Sequence, residues 1–299
     1  MTHEQRISTQ LRLEYASAIE DCALIQLPHR SLISLTGEDR IDWLQGQSTN
    51  DLRNLKPGDS VSFCLCSPKG QIEAIIDALI LDHEIWLSTD SACKPAVLDR
   101  IENMVVMEDA AGREVDHLIC VRIVGPEAAN ASTYTVGILG QGFKDVWIDE
   151  SQLSILAASI PSSSEETYNI WRLEQGIPKW NQDATAKTLP PELGPAFEQA
   201  HVSYTKGCYT GQEVLQRIHS RGHTNKTWVA LQCDGAVAQG SAVTLDGTEM
   251  GLVSSVAHSP RYGYLAAATL RNAAMDGEAL VQIGDKSARV MHFPIKKSA

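Results

Sequence analysis

The sequence predicts an α+β protein made of several units, and three observations lead to this fold class. At 299 residues the chain is too long for one simple core, so two or three domains are expected. Residues 51–115 carry short strands, tight turns and one helical stretch, which is typical of a compact antiparallel α+β unit. After about residue 225 short strands alternate with Asp-Gly and Gly turns, so 226–299 is expected to form a small β-barrel or sandwich.

The first elements follow in order from local patterns. SLISLTG at 31–37 predicts a strand, and the next segment has Ile41 and Leu44 at helical spacing with Gly46 as a helix stop. The segment 60–81 predicts two strands around a Ser-Pro-Lys-Gly turn, and EIWLSTD predicts a third before a helical stretch at 91–105.

The middle of the chain repeats this pattern of a strand followed by a turn that contains glycine. DHLICVRIVGPEAA at 116–129 again places a strand before a Gly-Pro turn, and KDVWIDE predicts a further short strand. SSSEETYNIWRLEQGIP predicts a helix with a capping box between Ser163 and Glu166, ending at Gly176. The four prolines of 178–196 indicate an extended loop.

Composition and charge argue against two classes of protein. A net charge of -12 and a pI near 5.2 disfavour non-specific nucleic-acid binding, which needs a basic surface, so no direct nucleic-acid partner is expected. The N-terminus has no apolar core of signal-peptide length, and the most apolar stretch, AIIDALIL, is short and interrupted by Asp77, so no membrane span is predicted.

The seven cysteines form no Cys-x-x-Cys pair, and their odd number together with the absent signal predicts a reducing cytoplasm and no disulfide framework. Cys64 and Cys66 alternate along a predicted strand and therefore face the same way. Such a pair more often packs as two small apolar residues than it binds a metal, so no metal site is predicted.

The string KGCYTGQE at 206–213 is the strongest candidate for chemistry. Thr210 and Glu213 have the spacing of a capping box, which predicts a helix that ends at Gly222 and leaves Cys208 just outside its N-terminus. The helix dipole and Lys206 both favour a thiolate, so Cys208 is interpreted as a functional thiol with a lowered pKa. The alternative is an inert cysteine beside an ordinary capped helix.

Residues 201–228 form a basic island in an acidic chain, which favours an anionic ligand such as a polyglutamate or phosphate tail. Its cations are Lys206, Arg217, Arg221 and Lys226, against Glu213 alone. The same window holds His201, His219 and His223, which would be candidate bases in a cysteine hydrolase. None of the three lies in a recognisable hydrolase motif, so this alternative is the weaker one.

Four strings in the right order closely resemble the YgfZ family of folate-binding proteins, relatives of the aminomethyltransferase (T-protein) of the glycine cleavage system. They are KGCYTGQE, WLQGQSTNDLRNLKPGD at 43–59, WRLEQGIP at 171–178 and RGHTNKTWVAL at 221–231. The resemblance implies a three-domain ring: a discontinuous folate-binding domain (1–50 and 116–225), an inserted α+β domain (51–115) and a C-terminal β-barrel (226–299). It also implies a reduced folate, tetrahydrofolate or a derivative, in the central channel.

The resemblance also assigns site residues. Glu174 matches the carboxylate that holds the pterin ring in the T-protein, and such a group can accept hydrogen bonds from the pterin 2-amino group and ring N–H. Tyr168 and Arg30 stand at or near ring-contact positions, although core packing is an equal alternative for Tyr168 and Arg30 replaces a position that can be tryptophan. Asn50 matches a family Asn-Asp pair. Arg217 and Arg221 are expected to hold the anionic folate tail.

One segment departs from the T-protein, which carries an essential aspartate after its second-domain hairpin. Glu73, Ala74 and Ile75 stand at the matching place here, and Asp77 lies two or more residues too far along. Since a one-residue slip reverses the face of a strand, the transferase group is expected to be absent.

The resemblance therefore implies a cytoplasmic tetrahydrofolate-binding protein that supports assembly or maintenance of iron–sulfur enzymes, including those that thiolate tRNA, with iron–sulfur proteins or their assembly factors as partners. No independent turnover is expected. A folate-dependent aminomethyl or one-carbon transferase and a non-catalytic scaffold for iron–sulfur partners remain as alternatives.

Overall fold

The computed structural model describes residues 7–130, 137–140, 142–222, 224–274 and 280–296. Within these ranges the chain forms an α+β fold with three sheets, as the sequence predicts, and the last sheet closes into a barrel. The helices are α1 (Thr9–Glu20), α2 (Arg40–Gln47), α3 (Lys94–Met104), α4 (Leu153–Ser159), α5 (Glu165–Gln175), α6 (Pro195–His201) and α7 (Gln212–Arg221).

The strands before the barrel are β1 (Ala23–Gln26), β2 (Arg30–Thr36), β3 (Ser60–Cys66), β4 (Ile72–Ile80), β5 (Glu84–Asp90), β6 (Ala111–Val115), β7 (Ile119–Val124), β8 (Ile138–Gly140) and β9 (Phe143–Ile148). The barrel strands are β10 (Lys226–Cys233), β11 (Ala242–Leu245), β12 (Thr248–Ser259), β13 (Gly263–Arg271), β14 (Leu280–Ile283) and β15 (Lys286–Met291).

The first sheet has four antiparallel strands in the order β1-β7-β9-β8. Its β9 is buried at every residue, because the sheet is covered on both faces. Trp171 of α5 packs against this sheet with Phe143 at its edge, and their ring centroids lie 6.5 Å apart. Helix α5 is thereby fixed against the sheet.

The second sheet has five antiparallel strands in the order β3-β4-β5-β2-β6. Its centre includes β2, whose residues pair with β5 on one side and with β6 on the other. Strand β2 lies inside the stretch 1–50, so the predicted boundary at residue 50 cuts through a continuous sheet. The domain division itself stays a prediction, and we propose to place this boundary near residue 29 because β2 shares every ladder hydrogen bond with the 51–115 segment.

The third sheet is a closed barrel in the order β10-β13-β12-β11-β14-β15, which confirms the barrel expected from the turn pattern. Small residues allow the strands to close tightly: Ala266, Ala267 and Ala268 on β13 are all fully buried. Trp228 on β10 is also fully buried and belongs to a core shared with Cys64 and Cys66, so the barrel packs against the second sheet. Both cysteines are core residues.

Two helix boundaries differ from the sequence-based ones, and a third agrees. Gly46 lies inside α2, which ends one residue later at Gln47. The N-cap of α5 is Ser164 instead of Ser163, and its side chain accepts from the Thr167 N–H. The predicted end at Gly176 is confirmed, because this residue adopts a left-handed conformation with φ of 74°.

No helix in the described part of the chain is both long enough and apolar enough to cross a lipid bilayer.

The conformation of Gly176 gives a test of the α5–barrel contact. A Cβ on Gly176 would meet Phe293 Cβ at 2.4 Å, whereas a Cβ on Gly263, with nearly the same φ of 73°, would meet nothing within 4 Å. Both alanine substitutions cost about 1–2 kcal/mol for the left-handed backbone. We expect Gly176→Ala to lower the free energy of unfolding by roughly 1–3 kcal/mol more than Gly263→Ala, as overpacking does. Equal losses in denaturant titrations would contradict this contact.

A candidate ligand cavity and the Cys208 loop

A cavity lies where α5, α6 and the loop after α5 cover the edges of the first two sheets. It offers about 120 Å³ to the centres of water molecules, several times the roughly 10–15 Å³ that one water requires. Its wall includes polar and aromatic side chains from β2, β4, β7, α5 and α6, among them Arg30, Asp77, Arg122, Tyr168, Phe197 and His201. The space therefore suits a small organic molecule with several polar groups.

Arg30 and Asp77 form the first ion pair of the wall. The Arg30 Nη2 donates to Asp77 Oδ2 at 2.8 Å, and Ser62 Oγ donates to Asp77 Oδ1 at 2.8 Å. Asp77 pairs in register with Ser62 on β3 and with Ser88 on β5, so all three side chains point to the same face of the sheet. Ser88 Oγ accepts from the Arg30 guanidinium, which orients it towards the carboxylate.

Arg122 and Asp145 form the second ion pair, from the neighbouring sheet. The guanidinium binds the carboxylate in a bidentate manner at 2.6 and 2.7 Å, and both side chains are essentially inaccessible to water. The Arg122 guanidinium also donates to Tyr168 Oη at 3.2 Å and lies 3.7 Å from the centroid of the Phe143 ring. Its Nη2 is 4.0 Å from Asp77 Oδ2, so the two ion pairs form one cluster with no net charge.

The cluster controls the protonation state of the cavity. Burial raises the pKa of Asp77, but its charged and hydrogen-bonding neighbours, of which Arg30 and Arg122 contribute most, together lower it by more, so the carboxylate stays ionised. Burial lowers the pKa of His201 and of His29, which both line the cavity. At neutral pH the site therefore presents a carboxylate and two neutral imidazoles.

Flat side chains complete the wall. Tyr168 stacks on Trp171 with ring centroids 6.2 Å apart, and Phe197 stacks on His201 at 3.8 Å. Tyr168 and Arg30 thus lie in the wall of the cavity, as the resemblance implies for a ring-contact site. An aromatic ligand ring would find several parallel or edge contacts here.

Asp77, which lies two or more residues beyond the place of the transferase aspartate in the sequence, lines the cavity. The residues Ala74, Ile76, Ala78 and Ile80 fill the core of the second sheet, which leaves Asp77 on the opposite face. That face is the cavity wall. Glu73, at the place that matches the transferase aspartate, is instead half-exposed and paired with Arg100 Nη2 at 2.5 Å.

Glu174 was expected to hold the ligand, but its carboxylate is not part of the cavity wall. It is buried, accepts from Tyr15 Oη at 3.0 Å and accepts from Ser259 Oγ at 2.6 Å. The helix geometry explains this placement, since Tyr168 and Glu174 are six residues apart in sequence and hence point about 120° apart around α5. Glu174 therefore joins α5 to α1 and to the barrel.

Asn50 also has a structural role in this geometry. Its Nδ2 donates to the carbonyls of Ser62 and Ala200, and its Oδ1 accepts from the Asp51 N–H. It ties the segment after α2 to β3 and α6 and is not among the residues that line the cavity.

The KGCYTGQE string forms a loop that we call the Cys208 loop, residues 206–211. Lys206 is buried, and its Nζ donates to the carbonyl oxygens of Gln45 and Ser48, both at 2.6 Å, and of Asn50 at 2.9 Å. The signature strings at 43–59 and 206–213 are therefore in direct contact. All seven cysteines lie in the described ranges, and Cys208 alone is exposed.

The capping box predicted at Thr210 is wrong. Helix α7 begins at Gln212 after Gly211 in a left-handed conformation, and no side chain caps it. Arg217 and Arg221 are exposed on α7 and do not line the cavity, and neither do Lys206 and Cys208. Within the basic island, Arg217 and Arg221 are thus surface cations away from the cavity, whereas Lys206 is buried.

The histidines proposed as bases for a hydrolase do not support that alternative. His201 stacks on Phe197 inside the cavity wall, and His219 stacks on Tyr204 with centroids 3.8 Å apart. His223 lies outside the described residues. Within those residues no group of three or more His, Cys, Asp or Glu side chains could hold a metal ion.

Sequence reasoning missed Arg122 and His29 as wall residues, and Asp145 as the ion-pair partner of Arg122. The available signal was a charge inside an apolar strand, since ICVRIV and FKDVWI both interrupt buried runs with ionisable residues. A buried charge needs a partner of opposite charge, and the two strands carry one each. In the sheet, Arg122 of β7 lies directly opposite Asp145 of β9.

Glu174 gives a prediction that separates architecture from ligand binding. Burial raises its pKa above the ordinary value of 4.5, so the folded state binds its proton more readily than the unfolded state. The contribution of Glu174 to the free energy of unfolding therefore falls as the pH rises from its unfolded-state pKa towards its folded-state pKa. We therefore expect the unfolding temperature of Glu174→Gln to rise relative to that of wild type as the pH is raised above the ordinary glutamate pKa of 4.5. Glu174→Ala should cost roughly 1–3 kcal/mol, because Tyr15 and Ser259 lose their acceptor. A pH-independent difference between Glu174→Gln and wild type would contradict this assignment.

Comparisons with known proteins place this geometry in context. An uncharacterised protein of Haemophilus influenzae is 26% identical over 200 residues, covering 66% of this chain and 69% of the relative. A tRNA-modifying protein YgfZ of Colwellia psychrerythraea is 22% identical over 248 residues, covering 75% of this chain and 76% of the relative. A putative chloroplastic transferase of Arabidopsis thaliana is 20% identical, covering 78% of this chain and 61% of the relative. No family model matches the chain.

Among solved structures, the glycine cleavage system aminomethyltransferase T of Bartonella henselae superposes with a TM-score of 0.81. It is 18% identical, and the match covers 95% of this chain and 89% of the other. This likeness shows that the two proteins share a fold. Together with the relatives it confirms the resemblance found in the sequence: the chain is YgfZ-like and has the fold of the aminomethyltransferases.

Proposed function

We propose that the cavity binds a reduced folate, tetrahydrofolate or a derivative, and that the protein supports iron–sulfur enzymes, including those that thiolate tRNA. The observation that carries the first part is an ionised, buried carboxylate in a cavity walled by flat side chains. Asp77 uses one oxygen for Arg30 and the other for Ser62, whereas a carboxylate offers about four acceptor sites. The remaining sites match the amino and N–H donors of a pterin.

Each wall residue has a defined part in this proposal. Asp77 accepts from the pterin, and Arg30 with Arg122 keeps Asp77 ionised. Tyr168 and Phe197 contact the faces or edges of the ring system. Lys179 lines the cavity with its side chain 38% exposed and has only a long contact of 3.9 Å with the exposed Glu165, so it is a cation that can meet an anionic tail. This assignment replaces Arg217 and Arg221, which lie outside the cavity.

The second part of the proposal is supported by relatives that are named tRNA-modifying protein YgfZ. The role of iron–sulfur enzymes comes from the family resemblance, and the exposed thiol of Cys208 is the feature suited to contact with such partners. The partners are proposed to be iron–sulfur proteins or their assembly factors in the cytoplasm.

A folate-dependent transferase is the second candidate, and one observation favours it. Asp77 lies in the cavity, where a charge-positioning carboxylate would be needed. Its two arginine neighbours, however, lower its pKa and make it a poor proton acceptor. Steady formation of methylenetetrahydrofolate from tetrahydrofolate and an aminomethyl donor would favour the transferase.

Two isosteric substitutions test the cavity as the folate site. We expect Asp77→Asn to weaken tetrahydrofolate binding by roughly 1.5–3 kcal/mol, because a charged acceptor is lost. Glu174→Gln makes the same chemical change outside the cavity and should leave the affinity nearly unchanged. Calorimetry at 25 °C on both variants measures this, with thermal unfolding in parallel to confirm that each is folded. The opposite pattern would return the pterin to Glu174 and reject the cavity.

The thiol has its own test. Cys208→Ser should keep the fold and the folate affinity, since Cys208 is exposed and lies outside the cavity wall. The variant should nevertheless fail to restore iron–sulfur enzyme activity in cells that lack the protein, with the buried-residue variant Cys233→Ser as the matched cysteine control. Full rescue by Cys208→Ser would favour the non-catalytic scaffold.

A further inference from the structure

We propose that Lys206 is a positioning residue whose ammonium group acts as a built-in cation, fastening the Cys208 loop to the end of α2. The proposal deepens the proposed function and rests on it for the importance of the thiol. The geometry that carries it is independent of any ligand.

The ammonium lies in a cage of oxygen atoms. Besides the carbonyls of Gln45, Ser48 and Asn50, Ser48 Oγ accepts from Lys206 Nζ at 3.1 Å. The four acceptors lie 2.6 to 3.1 Å from the nitrogen, and the side chain is 5% exposed. Three carbonyls and a hydroxyl around one positive centre are the donor set that proteins offer to a hard cation.

The cage exists because α2 ends there. The Gln45 carbonyl would accept from the N–H of Thr49 if the helix continued, but that N–H donates to the Cys64 carbonyl at 3.1 Å. Lys206 supplies the missing donor and places a positive charge at the negative end of the helix dipole. Burial lowers the pKa of Lys206 to about 8, so the group is mainly protonated at neutral pH.

Further contacts fasten the loop beyond the cage. The Thr210 N–H donates to the Gly46 carbonyl at 3.3 Å. Gly211 packs so closely on the β3–β4 turn that a Cβ would meet the Ser67 carbonyl oxygen at 2.5 Å. Gly207 and Cys208 are exposed between these anchors. The thiol is therefore held at the surface on a fixed loop, suited to a partner that approaches from outside.

Hydrogen exchange tests this proposal on the full chain. Lys206→Ala should accelerate amide exchange by about tenfold in segments 44–51 and 206–212, because local opening becomes easier. Exchange in the barrel should not change. Lys69→Ala, which removes an exposed lysine from the adjacent β3–β4 turn, is the matched control and should leave both segments at wild-type rates.

Chemical rescue distinguishes a cation from mere packing. The Lys206→Ala variant leaves space in the cage, so ammonium or potassium chloride should slow its exchange again, whereas choline chloride at the same ionic strength should not. Lys206→Met fills the space with an apolar chain and should not respond to any of these salts. If all the salts, or none of them, slowed amide exchange in Lys206→Ala, the cation role would be rejected. If both Lys206 variants exchanged at wild-type rates, Lys206 would not position the Cys208 loop.

If neither Lys206 variant folds, Ser48→Ala provides the test, since it removes one acceptor from the cage. A smaller acceleration in the same two segments supports the proposal, and wild-type exchange rejects it. These readouts need neither folate nor an iron–sulfur partner, so their failure is distinguishable from failure of the proposed function.

Discussion

Four buried charged side chains meet where the first two sheets adjoin, and the cavity lies beside them. Arg122 and Asp145 come from the first sheet, and Arg30 and Asp77 come from the second. Each arginine has a carboxylate partner, and removing one partner from such a buried pair typically costs 3–5 kcal/mol. The two sheets must therefore pack in the one relative position that pairs every charge, and this constraint fixes the position of the walls that a ligand would contact.

Two carboxylates show how the surroundings decide the role of one chemical group. Asp77 faces two guanidinium groups, stays ionised and lines the cavity. Glu174 accepts from two hydroxyl groups, burial raises its pKa, and it acts as a polar link between α1, α5 and the barrel. Burial alone does not identify a binding group; the direction in which the group points does.

Two residues of the KGCYTGQE string have different structural roles. Lys206 belongs to the interior, where it satisfies the carbonyls at the end of α2, while Cys208 two residues later belongs to the surface. The proposed folate cavity and the proposed thiol are thus separate parts of one molecule, joined through the segment 45–50. A partner that reaches the thiol does not need access to the cavity.

The sequence by itself determined the α+β class, the barrel and the helix end at Gly176, because turn residues and strand periodicity act over a few neighbours. The family resemblance pointed to Tyr168 and Arg30 as ring contacts, and both line the cavity. Only the tertiary structure decided that Asp77 lines the cavity and Glu174 does not. Strand and helix periods showed which side chains share a face, but the partners Arg30, Tyr15 and Ser259 of these two carboxylates lie 47 to 159 positions away in the sequence. For the same reason the membership of β2 in the second sheet and the carbonyl cage around Lys206 could not be read from their own segments: both depend on hydrogen bonds between distant parts of the chain.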